Sequence, residues 1–243
     1  MTNAVGVDVG GTAIKAVLVD ADGTVLADHG CAASRPDPAG RDTAAAIVGC
    51  VRHLAGGQRL PVGLTSPGPV DERSGVVIDS VNLDRKNVPI RDLVEALLGL
   101  PVGFGHGVRA GGLAEMSALG RVDSEAVTAF VAIGTGLAAA IFIGQRALDA
   151  HGWAGEVGQI VFPAGPHAGK RIEEVASAAD SPDRGSCCSS PPASGWPRLP
   201  GVPLPPILPA THGHHAGAMG AALLGRQRVE SLPLEPALGA VGG

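Results

Sequence analysis

The chain has 243 residues, of which 18 are Lys or Arg and 23 are Asp or Glu, and its formal net charge is −5 at pH 7. This weakly acidic balance disfavours nucleic acids and anionic membrane surfaces as partners, and an aromatic content of 2% leaves few rings to stack on bases. No signal-peptide pattern opens the chain and no uncharged apolar stretch is long enough to cross a bilayer. We therefore expect a cytoplasmic protein that handles small molecules. The cysteines include no CxxC pair, so we expect neither a zinc framework nor structural disulfides.

Hydrophobic periodicity predicts strands where apolar residues run together and helices where they recur every three or four positions. In the first part of the chain it predicts strands at 5–9, 13–19, 24–27 and 61–64 and a helix at 44–54. In the second part it predicts helices at 92–98, 108–119, 172–179 and 215–228 and strands at 101–104, 126–133 and 137–143. Each part contains a hairpin with a glycine-rich turn, so we expect an α/β protein with two lobes, 1–105 and 106–243.

The segment Ser181–Pro209 interrupts this pattern, because it holds nine of the chain's twenty prolines. Neither a packed helix nor a central strand tolerates that density of proline. We predict an irregular, mobile segment that proteases cut first. Two origins remain open for it: a frameshift or internal deletion, and a natural loop.

The strongest local motif is the turn between the first two predicted strands, which runs from Asp8 to Lys15. Gly10 and Gly11 let the backbone approach a phosphate closely, and Thr12 adds a hydroxyl donor. Lys15 adds positive charge, and Asp8 can hold Mg²⁺ through water. A plain hairpin turn explains the glycines but leaves the charged residues unexplained, so the motif favours phosphate binding.

A second turn of the same type, Gly134-Thr135-Gly136, follows the apolar strand at 126–133. Alone it indicates no more than a tight hairpin. Together with the first turn it predicts a nucleotide held between two lobes. The chain contains neither a GxxxxGK[ST] motif nor a GxGxxG motif after a strand, so a different kind of nucleotide site is indicated.

Seven segments, in order along the chain, resemble the motifs of the ROK (repressor, open reading frame, kinase) sugar kinases, which include bacterial glucokinases. The segments are Asp8–Lys15, Gly63–Asp71, Ser80–Leu83, Gly134–Gly136, Ala154–Gln159, Ile172–Ser177 and Ala216–Leu224. The resemblance implies the two-lobed, actin-like ATPase (ribonuclease H-like) α/β fold, with a second lobe left incomplete by the proline-rich segment. That loss would uncover apolar surface around 127–133 and 137–143 and favour self-association.

The resemblance also implies an activity: ATP, with Mg²⁺, phosphorylates a hydroxyl of a glucose-like sugar. In such kinases an Asp in an Asn-Asp pair accepts the hydroxyl proton, while Asn, Glu and His side chains hold the ring hydroxyls. By this resemblance, Asn82, Glu156 and Glu173 are sugar ligands, and Gln159 stands where many relatives have a His. The partners would be a sugar and a nucleotide, and a homodimer is one option for the assembly.

The sequence departs from the family motif at the proton acceptor. His106 stands where the family has Asn, and Gly107 stands where it has the base Asp. Loss of a general base costs on the order of 10²–10⁴-fold in rate. We therefore expect a sugar kinase of reduced or lost activity, in which His106 could replace the missing base. The alternative is a non-catalytic sugar-binding or regulatory protein. The cysteine-rich zinc loop of many relatives is also missing, so we expect no metal besides Mg²⁺.

Overall fold

The structure, a computed structural model, describes residues 2–33, 37–80, 84–120, 122–134, 136–176 and 208–232. The strands are β1 (Ala4–Val9), β2 (Ala13–Val19), β3 (Val25–Ala32), β4 (Val62–Ser66), β5 (Val70–Asp71), β6 (Val76–Ser80), β7 (Arg85–Val88), β8 (Val102–His106), β9 (Val127–Ile133), β10 (Leu137–Ile143) and β11 (Arg146–Ala147). The α-helices are α1 (Arg41–Ala55), α2 (Ile90–Leu98), α3 (Gly107–Leu119), α4 (Glu173–Ala176) and α5 (Ala216–Glu230). None of these described helices has the length and apolar character needed to cross a membrane.

A five-stranded sheet with the order β3-β2-β1-β4-β8 forms the centre of the N-terminal part. The strands β1, β2 and β3 pair antiparallel as a meander, while β4 and β8 add to β1 in parallel. Parallel strands need crossover connections, and α1 and α2 lie in the segments that link them. The ends of β1, β4 and β8 therefore lie side by side, which brings distant parts of the sequence to one edge of the sheet.

One face of the sheet packs against α1. Its buried residues, among them Ile47, Val51 and Leu54, recur at helical spacing and contact Val7 and Leu64 of the strands. This stripe of branched side chains is the main hydrophobic core, and burial of each such side chain stabilises the fold by about 1.5–3 kcal/mol. The helix ends at Gly56, which adopts the left-handed conformation and donates its N–H to the carbonyl of Arg52.

The opposite face packs against α5 through glycines. Gly6, Gly63 and Gly103 are aligned across β1, β4 and β8, so they form a row on the sheet. A Cβ atom on any of them would collide with the backbone of α5. The helix α5 is itself rich in Ala and Gly, because only small residues let its backbone approach the strands this closely.

A second sheet, in the order β11-β10-β9, packs one face against α3. Phe142 is fully buried there beside Met116 and Ala140. A third small sheet, in the order β5-β6-β7, was not predicted from the sequence. The predicted strand at 24–27 is longer in the structure, since β3 extends to Ala32.

Several predictions concern residues outside the described part of the chain. Nearly all of Ser181–Pro209, together with Asn82 and Thr135, lies outside it. The predicted helix at 172–179 is described only to Ala176. The division into lobes at 105 and 106 stays a prediction, although the strand-to-helix junction falls at that point, between β8 and α3.

Candidate functional site

The first glycine turn lies at the end of the β1–β2 hairpin, with its backbone held from two sides. Gly10 donates its N–H to the carbonyl of Ala13 at 2.8 Å, and a Cβ atom on Gly10 would lie 2.9 Å from that same oxygen. The carbonyl of Thr12 accepts the N–H of Ala33 at 3.2 Å. The side chains of Thr12 and Lys15 are exposed. The turn thus presents a fixed backbone, a hydroxyl and a cation to solvent, which suits a phosphate group.

Asp8 lies on β1 directly across from Lys15. The hydroxyl of Thr65, at the end of β4, donates a hydrogen bond of 2.7 Å to Asp8 Oδ1. Burial raises the pKa of the Asp8 carboxyl, while the Thr65 hydrogen bond and the charge of Lys15 lower it, and the net direction is upward. The first turn of α5 closes over this carboxylate, because a Cβ atom on Gly217 would lie 2.7 Å from Asp8 Oδ2.

Residue 107 faces Asp8. His106 is the last residue of β8 and Gly107 the first of α3. A Cβ atom on Gly107 would lie 3.2 Å from Asp8 Oδ1 and 3.9 Å from the hydroxyl oxygen of Thr65. The position where the family motif has its base therefore adjoins the predicted phosphate turn, and in this chain it carries no side chain.

His106 turns away into a buried pocket beside Glu156. The side chain is 4% exposed, and its Nε2 lies 3.3 Å from Glu156 Oε1. Burial, together with the charge of Arg109, lowers the pKa of His106 to about 3. The imidazole is thus neutral near pH 7 and a weak base. Within the described residues, His106 Nδ1 and Glu156 Oε1 are buried without a hydrogen-bond partner.

Arg109 joins three segments around this pocket. Its guanidinium contacts Glu72 Oε1 at 2.8 Å and Asp149 Oδ1 at 3.3 Å. Glu72 Oε1 also accepts the backbone N–H of His106 at 3.1 Å, so it fixes the start of α3. The sequence patterns did not single out Arg109 and Glu72, because an ion pair between residues 37 positions apart leaves no local signal.

The remaining predicted sugar ligands form a polar network beside the second turn. Gln159 Nε2 donates to Glu173 Oε1 at 3.0 Å, and Arg171 bonds to both side chains. Glu173 also approaches the second turn, because a Cβ atom on Gly136 would lie 3.0 Å from its Oε2. Burial raises the pKa of Glu156, against the charge of Arg109, and the charge of Glu173 raises it further. Glu156, Gln159 and Glu173 thus lie on one side of the site.

The second turn is described at Gly134 and Gly136, where the N–H of Gly134 donates to the carbonyl of Gly136 at 2.9 Å. Thr135, between them, and the predicted sugar ligand Asn82 lie outside the described residues, so the structure does not place their side chains.

Asp8 fits the donor set that Mg²⁺ requires. The ion prefers oxygen ligands, keeps several waters and commonly binds proteins through one or two carboxylates together with substrate phosphates. The upward shift of the Asp8 pKa marks a carboxylate whose ionised form gains from a nearby cation. Among the described residues, no group of three or more His, Cys, Asp or Glu side chains is placed to hold a metal. Asp8 alone is the carboxylate that would hold the ion at this turn, as the sequence motif predicts.

Comparison with known proteins gives a consistent family. The model of the ROK family matches residues 4–191. A glucokinase from Streptomyces coelicolor is 33% identical over 162 residues, which cover 64% of this chain and 49% of that protein. The chain thus spans about half the length of this curated relative. A xylose repressor from Caldicellulosiruptor bescii is 35% identical over 102 residues, 41% of this chain and 25% of that protein.

Two solved structures extend the comparison to the fold. A ROK glucokinase from Streptomyces griseus, in complex with glucose and AMPPNP, is 30% identical to this chain, with a TM-score of 0.62. The match covers 72% of this chain and 57% of that glucokinase. A polyphosphate/ATP-glucomannokinase from Arthrobacter is 25% identical with a TM-score of 0.72, and the match covers 93% of this chain and 99% of that one. These neighbours confirm the predicted actin-like ATPase fold, and a shortened second lobe is consistent with 243 residues.

Proposed function

Because the chain belongs to the ROK family, we propose that it binds a glucose-like hexose and a phosphoryl donor as a sugar kinase does, and that its phosphoryl transfer is reduced or lost. The observation that carries this proposal is the junction of Asp8 and residue 107. A phosphate turn, its carboxylate and the start of α3 meet there, yet Gly107 provides no proton acceptor.

In this proposal the two sides of the site have different ligands. The turn Gly10–Thr12 and Lys15, together with the turn Gly134–Gly136, would hold the donor phosphates. Mg²⁺, held through water by Asp8, would supply neutralisation of charge on those phosphates. Glu156, Gln159 and Glu173, with Asn82, would bind sugar hydroxyls. Positioning and charge neutralisation are most of what phosphoryl transfer requires, so binding can persist where turnover is slow. A kinase that uses ATP would act in the cytoplasm, and phosphorylation of a hexose would place it in carbohydrate metabolism.

His106 is a poor substitute for the missing base. Its pKa of about 3 leaves it a weak acceptor at pH 7, and its Nε2 faces Glu156. An efficient general base has a pKa near the working pH. The low pKa of His106 therefore favours slow phosphoryl transfer without a general base over transfer in which His106 acts as the base.

A non-catalytic sugar-binding protein is the second candidate, and Gly107 is the observation that favours it. The phosphate turns and the proposed sugar ligands can bind their ligands even if no phosphoryl group is transferred. The similarity to a xylose repressor covers 41% of this chain, so a regulatory role is consistent with the family as well.

The phosphoryl donor is a separate question within the first proposal. The Arthrobacter relative uses inorganic polyphosphate as well as ATP according to its name, and its match covers 93% of this chain. A turn rich in backbone N–H groups recognises phosphates and not the adenosine, so we include polyphosphate as an alternative donor.

One set of assays separates these functions. Sugar phosphate formation is measured at high protein concentration with Mg·ATP or Mg·polyphosphate and a panel of hexoses, and calorimetry measures sugar binding alone. We expect sugar binding with turnover far below the usual scale of roughly 10–10³ s⁻¹. Full turnover contradicts the proposed loss, binding with zero turnover supports the sensor, and absence of sugar binding overturns both.

A further inference from the structure

Two cysteine thiols are in contact between the edge strand of the large sheet and the helix that covers it. Cys31 on β3 and Cys50 on α1 have their Sγ atoms 3.8 Å apart. Cys50 is buried at 2% exposure, whereas Cys31 is only partly buried and can be reached from solvent. Among the described strands, β3 lies at the edge of the sheet, next to β2.

The contact between these thiols is fixed by the packing around it. Cys31 pairs with Ile14 in the sheet, and Cys50 lies on the same helix face as Ile47 and Val51. A second pair meets alongside, since the imidazole rings of His29 and His53 have centroids 4.2 Å apart. Strand and helix therefore share two side-chain contacts.

We propose that Cys31 and Cys50 form an intramolecular disulfide when a peroxide reaches Cys31. A disulfide needs its sulfur atoms at about 2.05 Å, so they must approach by less than 2 Å, which a change of side-chain torsion with a small shift of the edge strand supplies. The site concerns a surface that the proposed kinase function does not use, so it stands independently of that function.

The reaction has two balanced steps. The thiolate of Cys31 attacks one peroxide oxygen and the O–O bond breaks, which leaves a sulfenic acid on Cys31 and expels hydroxide. The hydroxide takes up the proton that the Cys31 thiol had released and becomes the first water. The thiolate of Cys50 then attacks the sulfenic sulfur and expels hydroxide, which takes a proton to give a second water. Two thiols are oxidised and one hydrogen peroxide is reduced to two waters.

The second step sets the rate. Burial, together with the neighbouring Cys31, raises the pKa of the Cys50 thiol to about 12. Only a small fraction of Cys50 is thiolate at pH 7, and this fraction grows about tenfold for each unit of pH. Closure should therefore be slow at neutral pH and accelerate steeply up to pH 10.

The link also bears on the first glycine turn. Ala33, two residues after Cys31, donates its N–H to the carbonyl of Thr12. A disulfide would tie the strand that braces this turn to α1 and restrict the unfolded chain by closing a loop of about 20 residues. We expect the melting temperature to rise by roughly 5–10 °C on oxidation.

The experiment uses the full chain carrying Cys187→Ser and Cys188→Ser, which removes the only other thiols. After hydrogen peroxide treatment, peptide mapping should show the peptides of Cys31 and Cys50 joined within one chain. The melting temperature should rise and return after reduction. With Cys50→Ser added, Cys31 should stop at a sulfenic acid that dimedone traps, and the melting temperature should not rise.

Three results would overturn the proposal: both cysteines stay open to alkylation, the cross-link joins two chains, or Cys31 remains a sulfenic acid with Cys50 intact even after long incubation at about pH 9 to 10, where closure should be fast.

Discussion

At the residue scale, the proposed loss of phosphoryl transfer depends on residue 107, because Gly107 offers no proton acceptor beside Asp8. Gly107→Asp places a carboxylate beside Asp8, where a Cβ atom would lie 3.2 Å from Asp8 Oδ1, a tight contact that requires Asp8 to move by a few tenths of an ångström. Two adjacent carboxylates raise one another's pKa, which suits a base at neutral pH. We expect the residual sugar-dependent ATP turnover of this variant to rise by about 10–10²-fold in a coupled assay.

The matched control is Gly107→Asn, which has nearly the same shape as Asp but cannot accept the proton. It should bind sugar as the Asp variant does and show no gain in turnover. An equal gain in both variants would refute the role of the carboxylate. No gain in either, with circular dichroism showing an intact fold, would place the defect elsewhere in the second lobe.

His106 provides a second test at this scale, through the pH dependence of stability. Its folded pKa of about 3 lies below the ordinary value of 6.5, so the unfolded chain binds more protons between these pH values. Stability contributed by neutral His106 is complete above pH 6.5 and falls as the pH is lowered, by about 1.4 kcal/mol per unit.

Between pH 7 and pH 5 the unchanged protein should therefore lose roughly 2 kcal/mol more than His106→Gln, measured by urea unfolding. The variant removes the titrating group and keeps a polar side chain, so the titration of carboxylates that do not contact residue 106 cancels in the difference. Equal losses in both proteins would mean that His106 titrates normally in the fold.

The sequence could predict which motif segments to examine at this scale, but not which atoms meet. Asp8 and Gly107 are distant in the chain and adjoin because β1, β4 and β8 end side by side. The ion pairs of Arg109 with Glu72 and Asp149 could not be predicted for the same reason. The residues next to Arg109 in the sequence do not indicate that its guanidinium forms ion pairs with Glu72 and Asp149.

At the element scale, the contact of α5 with the sheet depends on the absence of side chains. Gly63→Ala would put a methyl group into the backbone of α5 at Ala221, where neither the strand nor the helix can yield cheaply. Overpacking of this kind costs typically 1–3 kcal/mol, so we expect the free energy of unfolding to fall by about 2 kcal/mol or more.

Gly49→Ala is the matched control, because it adds the same methyl group at an exposed position of α1 with no atom within 4 Å. Removing a glycine from a helix interior stabilises it by roughly 0.5–1 kcal/mol, so this change should raise the melting temperature. Thermal unfolding by circular dichroism compares the two. Changes of the same sign would contradict the close approach of α5.

Elements with a strong apolar period could be predicted, and those without one could not. The hairpin of β1 and β2 and the helix α1 follow their hydrophobic patterns closely. The sheet of β5, β6 and β7 was missed because its strands have only two, five and four residues, too few to establish alternation. The edge strand β3 is largely exposed, so its residues beyond Ala27 carry no apolar signal.

At the scale of the whole molecule, β9 exposes a row of apolar side chains on one side of the second sheet, within the described part of the chain. The exposed fractions of Val127, Val131 and Ile133 on β9 are 72%, 53% and 45%. Their partners on β10 are also apolar, since Val127 pairs with Ile143 and Ile133 with Leu137. Large exposed apolar patches promote association, whereas single exposed apolar residues are ordinary. Among the described strands, β9 also lies at the edge of its sheet, a position that favours pairing with another chain.

We therefore expect the protein to self-associate through this sheet and Val131→Lys to reduce the association. The ammonium group of the introduced lysine would lose its hydration on contact with an apolar partner, which costs free energy. In sedimentation, the weight-average mass should therefore rise with concentration for the unchanged protein and much less for the variant. Leu97→Lys is the control, because Leu97 on α2 is 49% exposed and lies outside this sheet, so it should leave the association unchanged. A protein that stays monomeric across the range, or a control that dissociates it equally, would show that the β9 surface is not the contact.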